Sequence, residues 1–280
     1  MPHDPGPEFR ALHRPGDPFV LANAWDLGSA RMLAALGAQA LGTSSAAYAF
    51  TLGRPDMGHV SRDEMLAHAQ ALVSATPLPV SADLENGYGD APEDVARTVR
   101  LACEAGLAGL SIEDVAPPDG AAYPFALAVE RIRAGAAAAR ACPRDIVLLA
   151  RADGVMTGVY DLEEGIRRLQ AFADAGADGV YLPAPASMDD VARICASVAV
   201  PVNALAAGGF TRHSRADFAA AGVARISLGS ALARATHRLI VDAAEAMLGP
   251  AGDFSPLSRS IAGTQVDALL AAGARVSPAS

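Results

Sequence analysis

Short apolar runs alternate along the chain with longer stretches in which apolar positions recur every three or four residues. The runs at 19–23, 40–43, 79–83, 109–113, 146–151, 179–182, 201–205 and 225–228 are nearly continuously apolar. Strands buried on both faces of a parallel sheet require such runs. Between them, segments such as 91–105, 126–140, 162–175 and 188–197 carry the helical period. Several end alike, in Leu36-Gly37-Ala38, Ala105-Gly106-Leu107, Ala175-Gly176-Ala177 and Ala221-Gly222-Val223. A glycine there supplies the left-handed residue that caps a helix before the next strand begins.

Eight such units predict a (β/α)8 TIM barrel, with residues 1–280 forming one domain. An open doubly wound sheet is the rival, but no Gly-x-Gly-x-x-Gly turn opens any unit. The pattern continues past the eighth unit into a helical tail, residues 253–280. Its stretch 258–272 carries Ile261, Val266, Leu269 and Leu270, an apolar side that needs a partner surface. That surface is either its own barrel or a neighbouring subunit. Two connections, 44–60 and 114–124, are longer than the regular pattern requires.

Composition narrows the chemistry. Hydrophobic residues make up 51% of the 280, ample for a large core, and the net charge is −9. Nucleic acids and anionic membranes need a cationic face, so neither is expected as a partner. The 22 basic residues are all Arg. Without a lysine, Schiff-base aldolases and pyridoxal phosphate enzymes are excluded. Cys103, Cys142 and Cys195 form no Cys-x-x-Cys pair, and the first ten residues lack a signal-peptide core. No uncharged apolar run approaches the ~20 residues of a membrane span. The expectation is a cytoplasmic protein.

In this fold the chemistry sits at the C-terminal ends of the strands. The third strand ends in Asp83-Leu84-Glu85, whose spacing of two points both carboxylates the same way. The fourth ends in Glu113-Asp114 and the fifth in Arg151-Ala152-Asp153. Converging carboxylates repel unless a cation lies between them, and all-oxygen ligation suits Mg2+, with Mn2+ as the alternative. The competing reading is that they cap helices or pair with Arg151. Arg151 otherwise offers a planar fork for a substrate carboxylate or phosphonate. The loop Gly42-Thr43-Ser44-Ser45-Ala46 offers backbone N–H groups to an oxyanion. Glycines at 208–209 and 229 leave a phosphate-binding barrel open as a rival.

The sequence resembles the isocitrate lyase/phosphoenolpyruvate mutase superfamily over nearly its whole length. The resemblance is carried by Asn23-Ala24-Trp25-Asp26, Gly42-Thr43-Ser44-Ser45, Gly53-Arg54-Pro55-Asp56, Asp83-Leu84-Glu85-Asn86-Gly87-Tyr88-Gly89, Ser111-Ile112-Glu113-Asp114 and Ala150-Arg151-Ala152-Asp153. It implies Mg2+ at Asp83, Glu85 and Glu113, one directly and the others through water. It further implies a carboxylate-binding loop at Ser44, Ser45 and Ala46, a substrate-contacting Arg151 and a gating loop carrying Asp56. Trp25, Asn203 and Asp83 complete the candidate substrate-binding set; Asp56, Arg151 and Tyr48 are the catalytic candidates. Relatives exchange their last helix between subunits and assemble as dimers of dimers, so the resemblance implies a homotetramer.

One departure is plain. The lyases of this superfamily carry a Lys-Lys-Cys-Gly-His or Lys-Arg-Cys-Gly-His loop after the fourth strand, and the mutases a Lys and an Asn-Ser pair. This chain has Val115-Ala116-Pro117-Pro118-Asp119-Gly120. A proton donor would then be water, Tyr48, Tyr123 or Tyr160. The expected activity is Mg2+-dependent C–C cleavage of a small 2-oxo or 2-hydroxy di- or tricarboxylic acid through a metal-stabilised enolate. The alternatives are C–P chemistry on a phosphonopyruvate-like substrate, oxaloacetate-type decarboxylation, and a 2-oxo-acid-binding protein without catalysis.

Overall fold

A computed structural model describes residues 4–275. Eight parallel strands close into a barrel in chain order: β1 (Phe19–Asn23), β2 (Ala40–Gly42), β3 (Val80–Asp83), β4 (Gly109–Glu113), β5 (Val147–Arg151), β6 (Gly179–Tyr181), β7 (Val202–Leu205) and β8 (Arg225–Ser227). β8 pairs back onto β1, Phe19 opposite Arg225, which closes the ring. The continuous apolar runs of the sequence are these strands, and every residue of β4 is buried. Helices enclose most of the barrel, and Val20 of β1, 39% exposed, marks a strand face that none of them covers.

Glycine fixes two features that position the site. Gly106 and Gly176 have φ of +84° and +103° and end the helices Pro92–Glu104 and Leu162–Asp174 as left-handed caps. The chain then turns directly into β4 and β6. At Gly109 an added Cβ would lie 2.6 Å from the ring of Phe9. The absent side chain lets the short helix Gly6–Ala11 close the end of the barrel opposite the strand C-termini, with Phe9 fully buried.

The C-terminal part departs from expectation. Helix Ala231–Leu248, which the repeat pattern makes the eighth covering helix, buries only Ala233 and Ala243 among the described residues. Its Ile240 is 64% exposed and Leu248 85%. The tail instead turns back through a 3-10 segment, Ser255–Arg259, into helix Gly263–Gly273, which lies against helix Leu27–Ala35. Contact is so close that a Cβ at Gly273 would fall 1.8 Å from the Arg31 carbonyl oxygen. Of the two destinations open to the tail, this is its own barrel. In the single chain, small residues let that helix lie close against Leu27–Ala35, and the unpartnered apolar face belongs to Ala231–Leu248. No helix among the described residues is long and apolar enough to cross a membrane.

Candidate active site

The C-terminal strand ends surround a cavity of about 290 Å³. Strand register brings its charged groups together. Glu113 ends β4 opposite Arg151 of β5, and Arg151 lies opposite Tyr181 of β6. Arg151 Nη1 lies 2.9 Å from Asp83 Oδ1 and 2.8 Å from Glu113 Oε1. Its Nε and Nη2 donate to the two oxygens of Asp153 at 3.0 and 2.6 Å. Burial works against the charge on Arg151, but Asp153, Glu113 and Asp83 together hold its pKa well above the ordinary value. The guanidinium thus serves three carboxylates at once.

One cation does not balance the cluster. Burial pushes Glu113 well above the usual carboxylate range even against Arg151, and it raises Asp153 to about 6. Glu85 is pushed up to about 7, chiefly by burial, with Asp83 and Asp56 adding repulsion and the Gly58 N–H opposing it. Glu85 has φ +44°, a left-handed backbone uncommon outside glycine and typical of functional positions. Its Oε2 is buried and has no hydrogen-bond partner.

The donors suit a hard divalent cation. They are all carboxylate oxygens, they carry excess negative charge, and one of them is an orphaned acceptor. They are not drawn into a direct coordination shell: among the described residues no three His, Cys, Asp or Glu side chains surround one point. Arg151 spans Asp83 and Glu113 instead. That arrangement fits an ion held largely through its own water, as Mg2+ prefers.

Two loops complete the walls. Ser44 caps helix Ser45–Thr51, its Oγ accepting from Ala47 N. Ser45 donates from both N and Oγ to Asp83 Oδ2, at 3.1 and 2.9 Å. Asn23 ties this loop to the last strand, donating to Thr43 O while its Oδ1 accepts from Leu228 N and Gly229 N. Those two N–H groups, which a phosphate-binding barrel would present to its ligand, are thereby engaged, and this weighs against that rival. The segment 53–58 lies folded over the cavity. Gly58 N donates to Glu85 Oε1 at 3.2 Å, and Asp56 lines the cavity beside Ser45 and Asp83. Arg54 pairs with Glu64, not with Asp56.

The structure brings together Asp56, Asp83, Glu85, Glu113, Arg151, Ser44, Ser45 and Ala46, all of which line the cavity. It separates others from it. Tyr48 stacks on His68, ring centroids 3.8 Å apart, because it sits on the face of its helix that packs against helix Arg62–Ala75. Tyr123 donates to Asp90 and Tyr160 to Asp114, so neither phenol reaches the cavity. Trp25 is outside the lining too, and Asn203 lies behind the wall, bonded to Arg225 and Ser227. Tyr48 and Trp25 thus stand outside the cavity wall.

Sequence reasoning missed Tyr181, Arg225 and Arg234, which do line the cavity. A basic residue opening an otherwise apolar strand was the available signal for Arg225. None of the three cysteines lines the cavity.

A family model described as phosphoenolpyruvate phosphomutase matches residues 9–248. A solved structure from Burkholderia cenocepacia J2315 superposes with a TM-score of 0.90 at 45% identity, covering 95% of both chains. The 2-methylisocitrate lyase of Salmonella typhimurium is 33% identical over 71% of this chain and 69% of its own length. The oxaloacetate decarboxylase of Chromohalobacter salexigens is 32% identical over 82% of this chain and 80% of its own.

Proposed function

The chain belongs to the phosphoenolpyruvate mutase/isocitrate lyase family, and from that premise we propose that it is a Mg2+-dependent lyase cleaving a C–C bond in a small 2-oxo or 2-hydroxy di- or tricarboxylic acid. The observation that carries this reading is Arg151 spanning Asp83 and Glu113 beside the orphaned carboxylate oxygen of Glu85. Asp83, Glu85 and Glu113 would hold the ion. When bound, Mg2+ supplies a Lewis acid that draws negative charge onto the 2-oxo oxygen.

The chain's own residues do the rest. The Ser44-Ser45-Ala46 loop, at the start of a helix, orients the carboxylate next to the 2-oxo group. Arg151 faces the developing negative charge while its ion pairs fix the guanidinium plane. The folded-over segment 53–58 excludes water and places Asp56 against the reacting end. Arg234, exposed at the mouth, screens incoming anions.

A second reading has a specific observation behind it. Tyr48, Tyr123 and Tyr160 all point elsewhere, and no cysteine lines the cavity. The acids left in the wall are Tyr181 and the carboxyl cluster, and loss of carbon dioxide from a 2-oxo diacid, with protonation from water, demands least of them. It accords with the similarity to an oxaloacetate decarboxylase.

A coupled assay for pyruvate or glyoxylate over a panel of carboxylates and phosphonates, with and without Mg2+, tests both. Metal-dependent release of a 2-oxo acid from a carboxylate supports them, and carbon dioxide evolution separates the second from the first. Turnover confined to phosphonates would overturn both in favour of C–P chemistry.

A further inference from the structure

A second buried cation lies in the same cavity and takes no part in the chemistry above. Arg225 opens β8, is 4% exposed, and lines the cavity together with Tyr181 and Ser227. Its Nε donates to Asn203 Oδ1 at 2.9 Å. Its Nη1 is buried with no hydrogen-bond partner, and no carboxylate among the described residues pairs with it. Burial is the main influence on its charge, lowering the guanidinium pKa to about 10, with Arg151 adding repulsion and Tyr181 and Asp83 opposing. Leaving a guanidinium donor unmade in a protein interior is costly.

The surroundings are built to hold that side chain in place. Asn203 Nδ2 donates to Ser227 Oγ at 2.9 Å, which turns the Asn203 carbonyl toward Arg225 Nε. The fork is thus fixed on one edge, in a residue that lines the cavity. Planar, fixed forks match carboxylates through paired hydrogen bonds. Arg151 cannot offer the same service, because Asp83, Glu113 and Asp153 occupy it.

We propose that Arg225 binds the distal carboxylate of the substrate, so that the enzyme selects a 2-oxo dicarboxylate over a 2-oxo monocarboxylate of the same length. This rests on the reading of the cavity as a 2-oxo acid site. The proximal acid group sits at the Ser44–Ala46 loop and the distal one at the floor between Arg225, Tyr181 and Ser227. A cavity of about 290 Å³ limits the ligand to a small diacid.

Calorimetry with Mg2+ and two five-carbon probes tests it: 2-oxoglutarate, and 2-oxopentanoate, in which a methyl group replaces the distal carboxylate. Wild-type protein should bind the diacid at least about tenfold more tightly, since a site holding an unmade charged donor discriminates against a ligand that cannot fill it. Arg225→Met should lose about 10–100-fold for the diacid and nothing for the monoacid. Arg225→Lys, which keeps the charge without the fork, should fall between them and supplies the contrast if the Met variant does not fold. Equal losses for both probes would make Arg225 a structural residue and overturn the proposal. So would unchanged diacid affinity, which would send the distal group elsewhere, for instance to Arg234. If the wild type binds neither probe, the 2-oxo acid reading itself fails, an outcome distinct from the other two.

Discussion

Gly58 donates its backbone N–H to Glu85 Oε1 at 3.2 Å, joining the segment over the cavity to the carboxylate cluster beneath it. The same glycine, at φ +80°, packs so closely on Pro117 that a Cβ would approach the ring to 2.9 Å. Position of the 53–58 segment and charge in the cluster are therefore linked through one side chain. Whatever draws Glu85 inward also draws on the segment.

Removing that acceptor should release the segment. Glu85→Ala is expected to speed hydrogen exchange at the Gly58 amide by about 10–100-fold, the effect of losing one charge-assisted hydrogen bond. Exchange in β3 and β4 should stay unchanged. Mass-resolved exchange on a peptide covering 53–60 reads this directly. An unaltered rate would mean that the packing on Pro117, not the carboxylate, holds the segment down.

Metal binding should depend unequally on the three carboxylates. Asp83→Ala is expected to abolish Mg2+ binding and turnover with the barrel intact, as loss of a direct ligand would. Glu113→Ala should weaken binding by ~10–100-fold, the usual cost of changing a group that acts through water. Titration calorimetry of both variants, with circular dichroism as the fold control, gives the answer. Mg2+ affinity unchanged in the Asp83 variant would remove the metal assignment.

Much of this was legible in the residues. Every barrel strand falls within a residue or so of its apolar run, because burial on both faces leaves a continuous signal. The carboxylates and Arg151 followed from strand-end position alone. What failed had physical causes. Tyr48 lies one turn into a helix whose facing depends on the neighbouring helix, and stacking on His68 settled it. Arg225 begins its strand, where position predicts the far end of the barrel, yet its long side chain lines the cavity. Which of helices Ala231–Leu248 and Gly263–Gly273 lies against its own barrel was not legible, since both carry apolar positions and only packing distinguishes them.

Two histidines should make the fold acid-sensitive. His68, stacked on Tyr48 with Nε2 unpartnered, is pushed down to about 4 by burial. His13 is pushed down to about 3, first by burial and then by Arg225. In the unfolded chain each titrates near ~6.5, so the unfolded state binds more protons below that pH. Their contribution is fully present above pH ~6.5 and falls away as the pH drops toward the folded values. Glu85 and Asp153, with raised pKa values, act in the opposite sense. His68→Phe isolates one histidine: its melting temperature should fall less than wild type between pH 7 and pH 4.5, the difference reflecting up to about 3 kcal/mol. Parallel curves for the two proteins would show that His68 is solvated and titrates normally.

The last expectation concerns assembly. Helix Ala231–Leu248 starts at the cavity mouth, where Ser230 and Arg234 line the opening, and runs on with Leu239, Ile240, Val241 and Leu248 exposed. Phe254, Leu257 and Ile261 extend the same apolar character into the following segment. Exposed apolar side chains in such number mark an interaction site, and an 18-residue helix with two buried residues gains little from its own barrel. We propose that a second copy of the chain covers it and that the protein is a homo-oligomer, a dimer of dimers. Because the tail helix docks on its own barrel, truncation after Gly252 should lower the melting temperature without lowering the mass in solution. Ile240→Asp combined with Val241→Asp should do the reverse, giving smaller species from a fold of nearly unchanged secondary structure. Light scattering on the three proteins separates the possibilities. A monomeric mass for the full chain defeats the proposal, and dissociation on truncation alone would return the interface to the tail.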